Sequence, residues 1–281
     1  MTTTTASHLT QAIQSLWLKL QSTQPLVHCI TNSVANNFAA NVCLAIGASP
    51  AMIDNKQEAG NFARVAHALS INTGTPTPEQ SQAMQYAAQS ADNVKKPWVL
   101  DPVGYSEILA WRSQIVDDLL QYHPTIIRAN ASEMATLAGA QGESKGVDST
   151  LSAEQAVDQA QQLLGICDCV AISGASDYIL SKEYGVIRIT GGSALQPKVT
   201  AMGCALGAVC AAYLGVLTQD QAPALAALAA HAHFAVAAQI AEQKMQDNNA
   251  GIGSFQMLFL DTLFQITAED FLQVDINILS K

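Results

Sequence analysis

From about Pro25 onward, short runs rich in β-branched and aliphatic residues alternate with stretches of helical period, and this alternation constrains the fold more than any other feature. LVHCIT is followed by the helical SVANNFAANVCLAIG, then ALSINT, a helix beginning near Pro78, and PWVLDP. A helix over Ile108 to Leu120 precedes TIIRAN, one from about Ser132 and one over Ser152 to Leu164 follow it, and CVAISG closes the series. Strand, helix and strand in this rhythm imply βαβ crossovers, hence a mostly parallel sheet with helices on its faces. YILSKE and GVIRIT then form an antiparallel hairpin turned at Tyr184 and Gly185, and the last third is helical until its end. Without an internal repeat or composition break, residues 1–281 are read as a single domain, with Gln141 to Thr150 as a surface loop.

A core of the size this fold needs is available, because 49% of the 281 residues are hydrophobic and only 13% are charged. The net charge of −10 argues against a surface that tracks nucleic-acid phosphates or anionic lipid. Leu9, Ile13, Leu16 and Leu20 fall at helical spacing, which makes the N-terminus an amphipathic helix rather than a signal peptide. The apolar stretches Gly203 to Leu217 and Ala222 to Ile240 are read as interior helices, the first being short and the second carrying His231, His233 and Gln239. No CxxC pair occurs among the six cysteines, which are read as reduced thiols of a soluble, cytoplasmic protein. His28 lies within an apolar run as a core residue, and His231 and His233, two apart, cannot share a helix face as metal ligands.

In an open parallel sheet, ligands gather beyond the carboxyl ends of the strands. The polar residues at those ends are Thr31 with Asn32, Asn72 with Thr73, Asp101, Arg128 with Asn130, and Ser173 with Gly174. Asp101 stands where a buried run meets Pro-Val-Gly, a place for a metal-binding carboxylate or a turn cap. Glu133 taken alone fits an ordinary first-turn acid, but beside Asp101 it completes the pair of carboxylates that Mg²⁺ on a nucleotide needs. Arg128 at the end of an apolar strand must meet one of these acids or a ligand phosphate, and phosphate is the preferred reading. In KVTAMGCALGAVCAAYLG, small residues lead straight into a helix, either a tightly packed helix start or an anion site of backbone N–H groups around Gly203. Cys204 in its first turn is a weak base or positioning contact, or a buried thiol; a helix N-terminus is expected to lower its pKa. Met52 is either core or the adaptable wall of a heteroaromatic pocket.

Pro25 to Met52 (PLVHCITNSVANNFAANVCLAIGASPAM), NTGT, DPVG, IRANASE, GVDS, SGASDYI and VTAMGCALGA occur in the order found in the hydroxyethylthiazole kinase family, which the chain resembles from about Pro25 to Ile266. The resemblance implies a ribokinase-like three-layer α/β/α fold, a homotrimer with active sites between subunits, and ATP-dependent phosphorylation of the primary alcohol of 4-methyl-5-(2-hydroxyethyl)thiazole in thiamine salvage. It implies that Asn32, Met52 and Ala201 contact the thiazole, Arg128 and Ser173 contact ATP, and Asp101 and Glu133 hold Mg²⁺. Cys204 then takes the place of the aspartate base of related sugar kinases, with Gly203 in the anion hole. Ala201-Met202-Gly203 departs from the family's Gly-Thr-Gly or Gly-Ala-Gly, a change that either narrows the alcohol pocket or reshapes the amide nest and bears on rate and substrate preference more than on fold. Tyr105, Ser106 and Glu107 also depart, and Ser173 keeps the hydroxyl of the usual threonine. The alternatives are a kinase of another vitamin alcohol, hydroxymethylpyrimidine or pyridoxal, and a non-catalytic thiazole- or nucleotide-binding member.

Overall fold

A computed structural model of the chain describes residues 5–141 and 153–280. The first half runs α1 (Ala6–Thr23), β1 (Leu26–Ile30), α2 (Asn36–Ala45), β2 (Ser49–Ala51), α3 (Ala59–Val65), β3 (Ala68–Asn72), α4 (Pro78–Asn93), β4 (Trp98–Asp101) and α5 (Ala110–Leu120). It continues with β5 (Ile126–Asn130), α6 (Ala131–Gln141), α7 (Ala153–Ala160), β6 (Cys169–Ser173), β7 (Ser176–Ser181) and β8 (Gly185–Thr190). The last third holds α8 (Met202–Leu214), α9 (Pro223–Asp247), α10 (Ile252–Gln265) and β9 (Asp275–Ser280).

The strands form one sheet in the order β2-β1-β3-β4-β5-β6-β7-β8-β9. Pairing is parallel from β2 to β6 and antiparallel from β6 to β9. Because β1 lies between β2 and β3, the order of the strands reverses there, and the carboxyl ends of β1 and β3 border a natural ligand crevice. The hairpin is present, with β7 beginning at Ser176 and its turn at Lys182 to Tyr184. Two short elements, β2 and α3, have no counterpart among the strongly patterned runs, being 3 and 7 residues long. GVDS and nearly all of the proposed Gln141–Thr150 loop lie outside the described residues.

Helix starts follow local chemistry. α4 opens on a capping box between Thr77 and Gln80 with Pro78 in its first turn, and Pro223 opens α9 with its ring already at a helical φ. Leu9, Ile13, Leu16 and Leu20 are all buried, so the N-terminal helix packs by the face its spacing defined. Among the described residues α9 alone is long and apolar enough to cross a membrane, and 89% of its apolar window is buried inside the fold. It is a central helix of one of two cores, packing with α1, α8 and α10 on one face of the sheet, where α2 packs in turn on α8 and α10. On the other face α3 to α7 bury Leu69, Ile71, Trp98, Leu100, Ile127 and Ala129.

Candidate functional site

Side chains on a strand alternate between faces, and this period of two assembles the site. In β4, Trp98 and Leu100 enter the α3–α7 core, so Asp101 shares the opposite face with Val99. In β5, Ile127 and Ala129 take that same core and leave Arg128 beside Asp101. Asn72 of β3 and Ser173 of β6 have the same parity. The result is a polar row across four strand ends, directly under the start of α8. That helix packs close on the row, since a Cβ on Gly207 would lie in van der Waals contact with Asp101 Oδ2, at 3.4 Å.

The row is one hydrogen-bonded chain. Asn32 Nδ2 donates to Cys204 Sγ at 3.3 Å and to Asn72 Oδ1 at 2.7 Å, and Asn72 Nδ2 donates to Asp101 Oδ2 at 2.8 Å. Arg128 Nη1 donates to the same Asp101 oxygen at 3.4 Å, and Nη2 donates to Ser173 Oγ at 2.5 Å. Arg128 therefore meets Asp101 rather than Glu133 within the protein. The pair is not self-sufficient, because Asp101 Oδ1 and Arg128 Nε are buried without a hydrogen-bond partner. Buried polar atoms left open in this way require a water, an ion or a ligand to complete their bonding.

Asp101 is fully buried, and burial pushes its pKa up to about 7; the Glu133 charge adds to the rise, while Arg128 and the Asn72 hydrogen bond oppose it. Glu133 is anchored by the backbone: Oε1 accepts from the Gly104 N–H at 2.8 Å and Oε2 from the Asn130 N–H at 3.3 Å. Asn130 Oδ1 accepts in return from the Glu133 N–H at 2.9 Å, so the first-turn reading of Glu133 holds as well. Gly104 adopts φ +72°, a conformation that suits a glycine. The unusual continuation after it is pinned by Tyr105 Oη donating to Asp117 Oδ1 at 2.9 Å and by Ser113 Oγ donating to the Ser106 carbonyl at 2.8 Å.

Above the row, α8 begins at Met202 with Ala201 as its N-cap, and no side chain caps it. The N–H groups of Gly203 and Cys204, in the first turn, have no carbonyl one turn earlier in the helix to bond. Ala201 itself sits at φ +70°, which costs an alanine roughly 1–2 kcal/mol. One expectation is corrected here: the thiol of Cys204 is not lowered by the helix start but raised, chiefly by burial and then by the Asp101 charge, against which the Asn32 and Asn72 hydrogen bonds act. Cys204 is half-buried, and the other five cysteines are free and buried.

A cleft of about 840 Å³ opens over these groups. Asp101, Arg128, Glu133, Ser173, Ala201, Gly203 and Cys204 line it, and its far wall runs through Gly191, Gly192, Pro197, Thr200 and Phe234. Asn32 lies behind Cys204, 4% exposed, and Met52 packs half-buried against the core without reaching the cleft of this chain. The histidines stay out of it: burial lowers the pKa of His28 and takes His233 down to about 4, and His231 Nδ1 is bonded to Asp177 Oδ2 at 2.7 Å. Asp177 lines the cleft and holds the Gly174 N–H at 2.9 Å, a support that motif reading did not single out. Its only sequence signal was its place inside SGASDYI, three residues after Gly174.

The profile of the hydroxyethylthiazole kinase family matches residues 18–269. The chain belongs to the hydroxyethylthiazole kinase family. A family member from Acinetobacter baumannii strain SDF is 55% identical over 280 residues, covering 99% of each chain. Another, from strain ACICU of that species, is 56% identical over 264 residues, 94% of this chain and 93% of its own. A solved hydroxyethylthiazole kinase from Pyrococcus horikoshii OT3 superimposes with a TM-score of 0.83 at 27% identity, over 96% of this chain and 100% of that one. The ribokinase-like three-layer architecture expected of a hydroxyethylthiazole kinase is thus the one observed, and the chain is a kinase of that family.

The donor set suits a magnesium ion carried by a nucleotide. Among the described residues no group of three or more His, Cys, Asp or Glu side chains forms a cage, but Mg²⁺ needs only one or two carboxylates together with phosphate oxygens and water. Asp101 Oδ1, buried and open, and Glu133, both lining the cleft, are the carboxylates that would fit such an ion.

Proposed function

We propose that the cleft binds ATP beside the alcohol of 4-methyl-5-(2-hydroxyethyl)thiazole and passes the γ-phosphoryl group to that alcohol, the salvage step of thiamine synthesis. The observation that carries this reading is the hydrogen-bonded chain from Cys204 to Arg128 and Ser173, lying beneath an uncapped helix start. It brings a hydroxyl contact and a phosphate contact to opposite ends of one rigid row.

In the transfer, the bond from the γ-phosphorus to its bridging oxygen breaks as a bond to the substrate oxygen forms. ADP leaves with the electron pair, and the alcohol gives up its proton. Charge spread over the equatorial oxygens meets the N–H groups of Gly203 and Cys204, which are fixed before the reaction and need no reorganisation. Arg128 and Ser173 hold the nucleotide phosphates. Cys204, protonated at neutral pH because burial raises its pKa, acts first as a contact that orients the hydroxyl. Such positioning suffices for phosphoryl transfer, in which a strong base is not required. Asp101 and Glu133 would hold Mg²⁺, which neutralises phosphate charge when bound.

Asn32 and Met52 are assigned to the thiazole. A homotrimer with sites between subunits accommodates Met52, which the cleft of one chain leaves out. The protein is assigned to the cytoplasm, as suits its free cysteines.

A coupled assay of ADP release tests the reading, with the thiazole alcohol compared against hydroxymethylpyrimidine and pyridoxal in the presence of Mg²⁺. Turnover specific to the thiazole is expected. Pure protein that turns over none of the three is a binding member, and one that prefers another alcohol has been assigned the wrong substrate.

A further inference from the structure

Asn72 joins the two halves of the polar row, although motif reading gave it no role. Its Nδ2 donates to Asp101 Oδ2 at 2.8 Å, and its Oδ1 accepts from Asn32 Nδ2 at 2.7 Å and from the Gly74 N–H at 3.0 Å. The two ends of an amide have opposite hydrogen-bonding character, so turning Asn72 over would set its carbonyl oxygen against the carboxylate. Asp101 and the Gly74 N–H together decide which way Asn72 points. Asn72 then offers Asn32 only an acceptor, which obliges Asn32 to present its NH₂ group. The Ala35 N–H agrees, donating to Asn32 Oδ1 at 2.9 Å.

An NH₂ group has two hydrogens, and both have acceptors here: one is Asn72 Oδ1, the other Cys204 Sγ at 3.3 Å. With asparagines only 4% and 2% exposed, water has little room to replace a lost partner. Space is equally tight, since a Cβ on Gly74 would fall 2.5 Å from Asn32 Nδ2. We propose that Asn72 is a positioning residue: it passes the orientation set by the Asp101 carboxylate through Asn32 to Cys204, so that sulfur accepts on its amide side and turns its S–H toward the cleft. The substrate hydroxyl then meets the thiol in a single orientation.

This inference rests on the cleft being the phosphoryl-transfer site, but its first test needs no turnover. Cys204 is the one cysteine that is not buried, so the rate of alkylation by iodoacetamide at fixed pH reports on it, with Cys204→Ala as the blank. Removing Asn72 leaves the Asn32 amide held by the Ala35 N–H alone, and a weakened hydrogen bond to a charged sulfur lowers the thiolate fraction. Asn72→Ala is expected to slow alkylation by about tenfold. In an Asn32→Ala background the same substitution should slow alkylation by clearly less, because only the direct hydrogen bond from Asn72 to sulfur is then left to lose. Turnover should show the same split: kcat falls about tenfold while KM for ATP moves less than about twofold. If Asn72→Ala does not fold, Gly74→Ala crowds Asn32 from the other side and must give the same slowing. Alkylation at the wild-type rate, or an equal drop in both backgrounds, overturns the proposal. Wild-type protein without thiazole kinase activity would instead sink the functional reading and leave the alkylation result standing.

Discussion

The two faces of the sheet are made by the same strands and do opposite work. On the α3–α7 face, Ile71, Leu100, Ala129 and Ile172 are buried and apolar to the strand ends. On the α8 face their immediate neighbours Asn72, Asp101, Arg128 and Ser173 form a polar chain. A strand can therefore anchor the fold with one residue and serve the chemistry with the next, at no cost in length. The difference also separates the two kinds of damage that a substitution can do.

The largest effect is expected from Arg128→Ala, which leaves the buried Asp101 without its partner. A destabilisation of about 3–5 kcal/mol should accompany loss of ATP binding, the first read by urea unfolding and the second by calorimetry. Leu100→Ala, next to Asp101 on the opposite face, should cost about 2–5 kcal/mol of stability and leave kcat/KM for folded protein within about twofold. If Leu100→Ala impairs turnover as severely as Arg128→Ala, the separation of the faces fails. Cys204→Ala should keep nucleotide binding and lower kcat by about 10–100-fold, as loss of one contact to the reacting hydroxyl predicts. Wild-type kcat in that variant would remove the thiol from the reaction.

A smaller effect concerns pH. Asp101 has its pKa raised from 3.8 to about 7 in the folded chain, so between those values the native state binds more protons than the unfolded one. Stability contributed by this group is therefore largest at low pH and declines as pH rises toward 7. The Tm difference between wild type and Asp101→Asn, measured from pH 5 to pH 7.5, should shift against wild type as pH rises. The smallest effect belongs to Ala201→Gly, which relieves a left-handed alanine and should stabilise by about 1 kcal/mol or less once the extra freedom of the unfolded glycine is counted.

Much of the architecture was legible because it depends on short-range pattern. Leu9, Ile13, Leu16 and Leu20 declared the face of α1, and the buried runs ending in Asp101, Arg128 and Ser173 declared parallel strands and the end of the sheet where polar groups collect. β2 and α3 were not legible, since 3 and 7 residues are too few for a period to show. Glu133 was equally ambiguous for a physical reason: the structure uses it both as a first-turn partner of Asn130 and as a wall of the cleft.

What the chain determined by itself was most of the elements, the two-residue parity that puts Asn72, Asp101, Arg128 and Ser173 on one face, and, through ordered motifs, its family. What only the tertiary structure decided were the partners: that Arg128 takes Asp101, that Asn72 bridges the Asp101 carboxylate and the distant Cys204 site, and that Met52 stands apart from the cleft. It also reversed the expected direction for Cys204. A helix start acts locally and can be read from neighbouring residues, whereas desolvation sums over everything packed around the sulfur, and that sum exists only once the chain has folded.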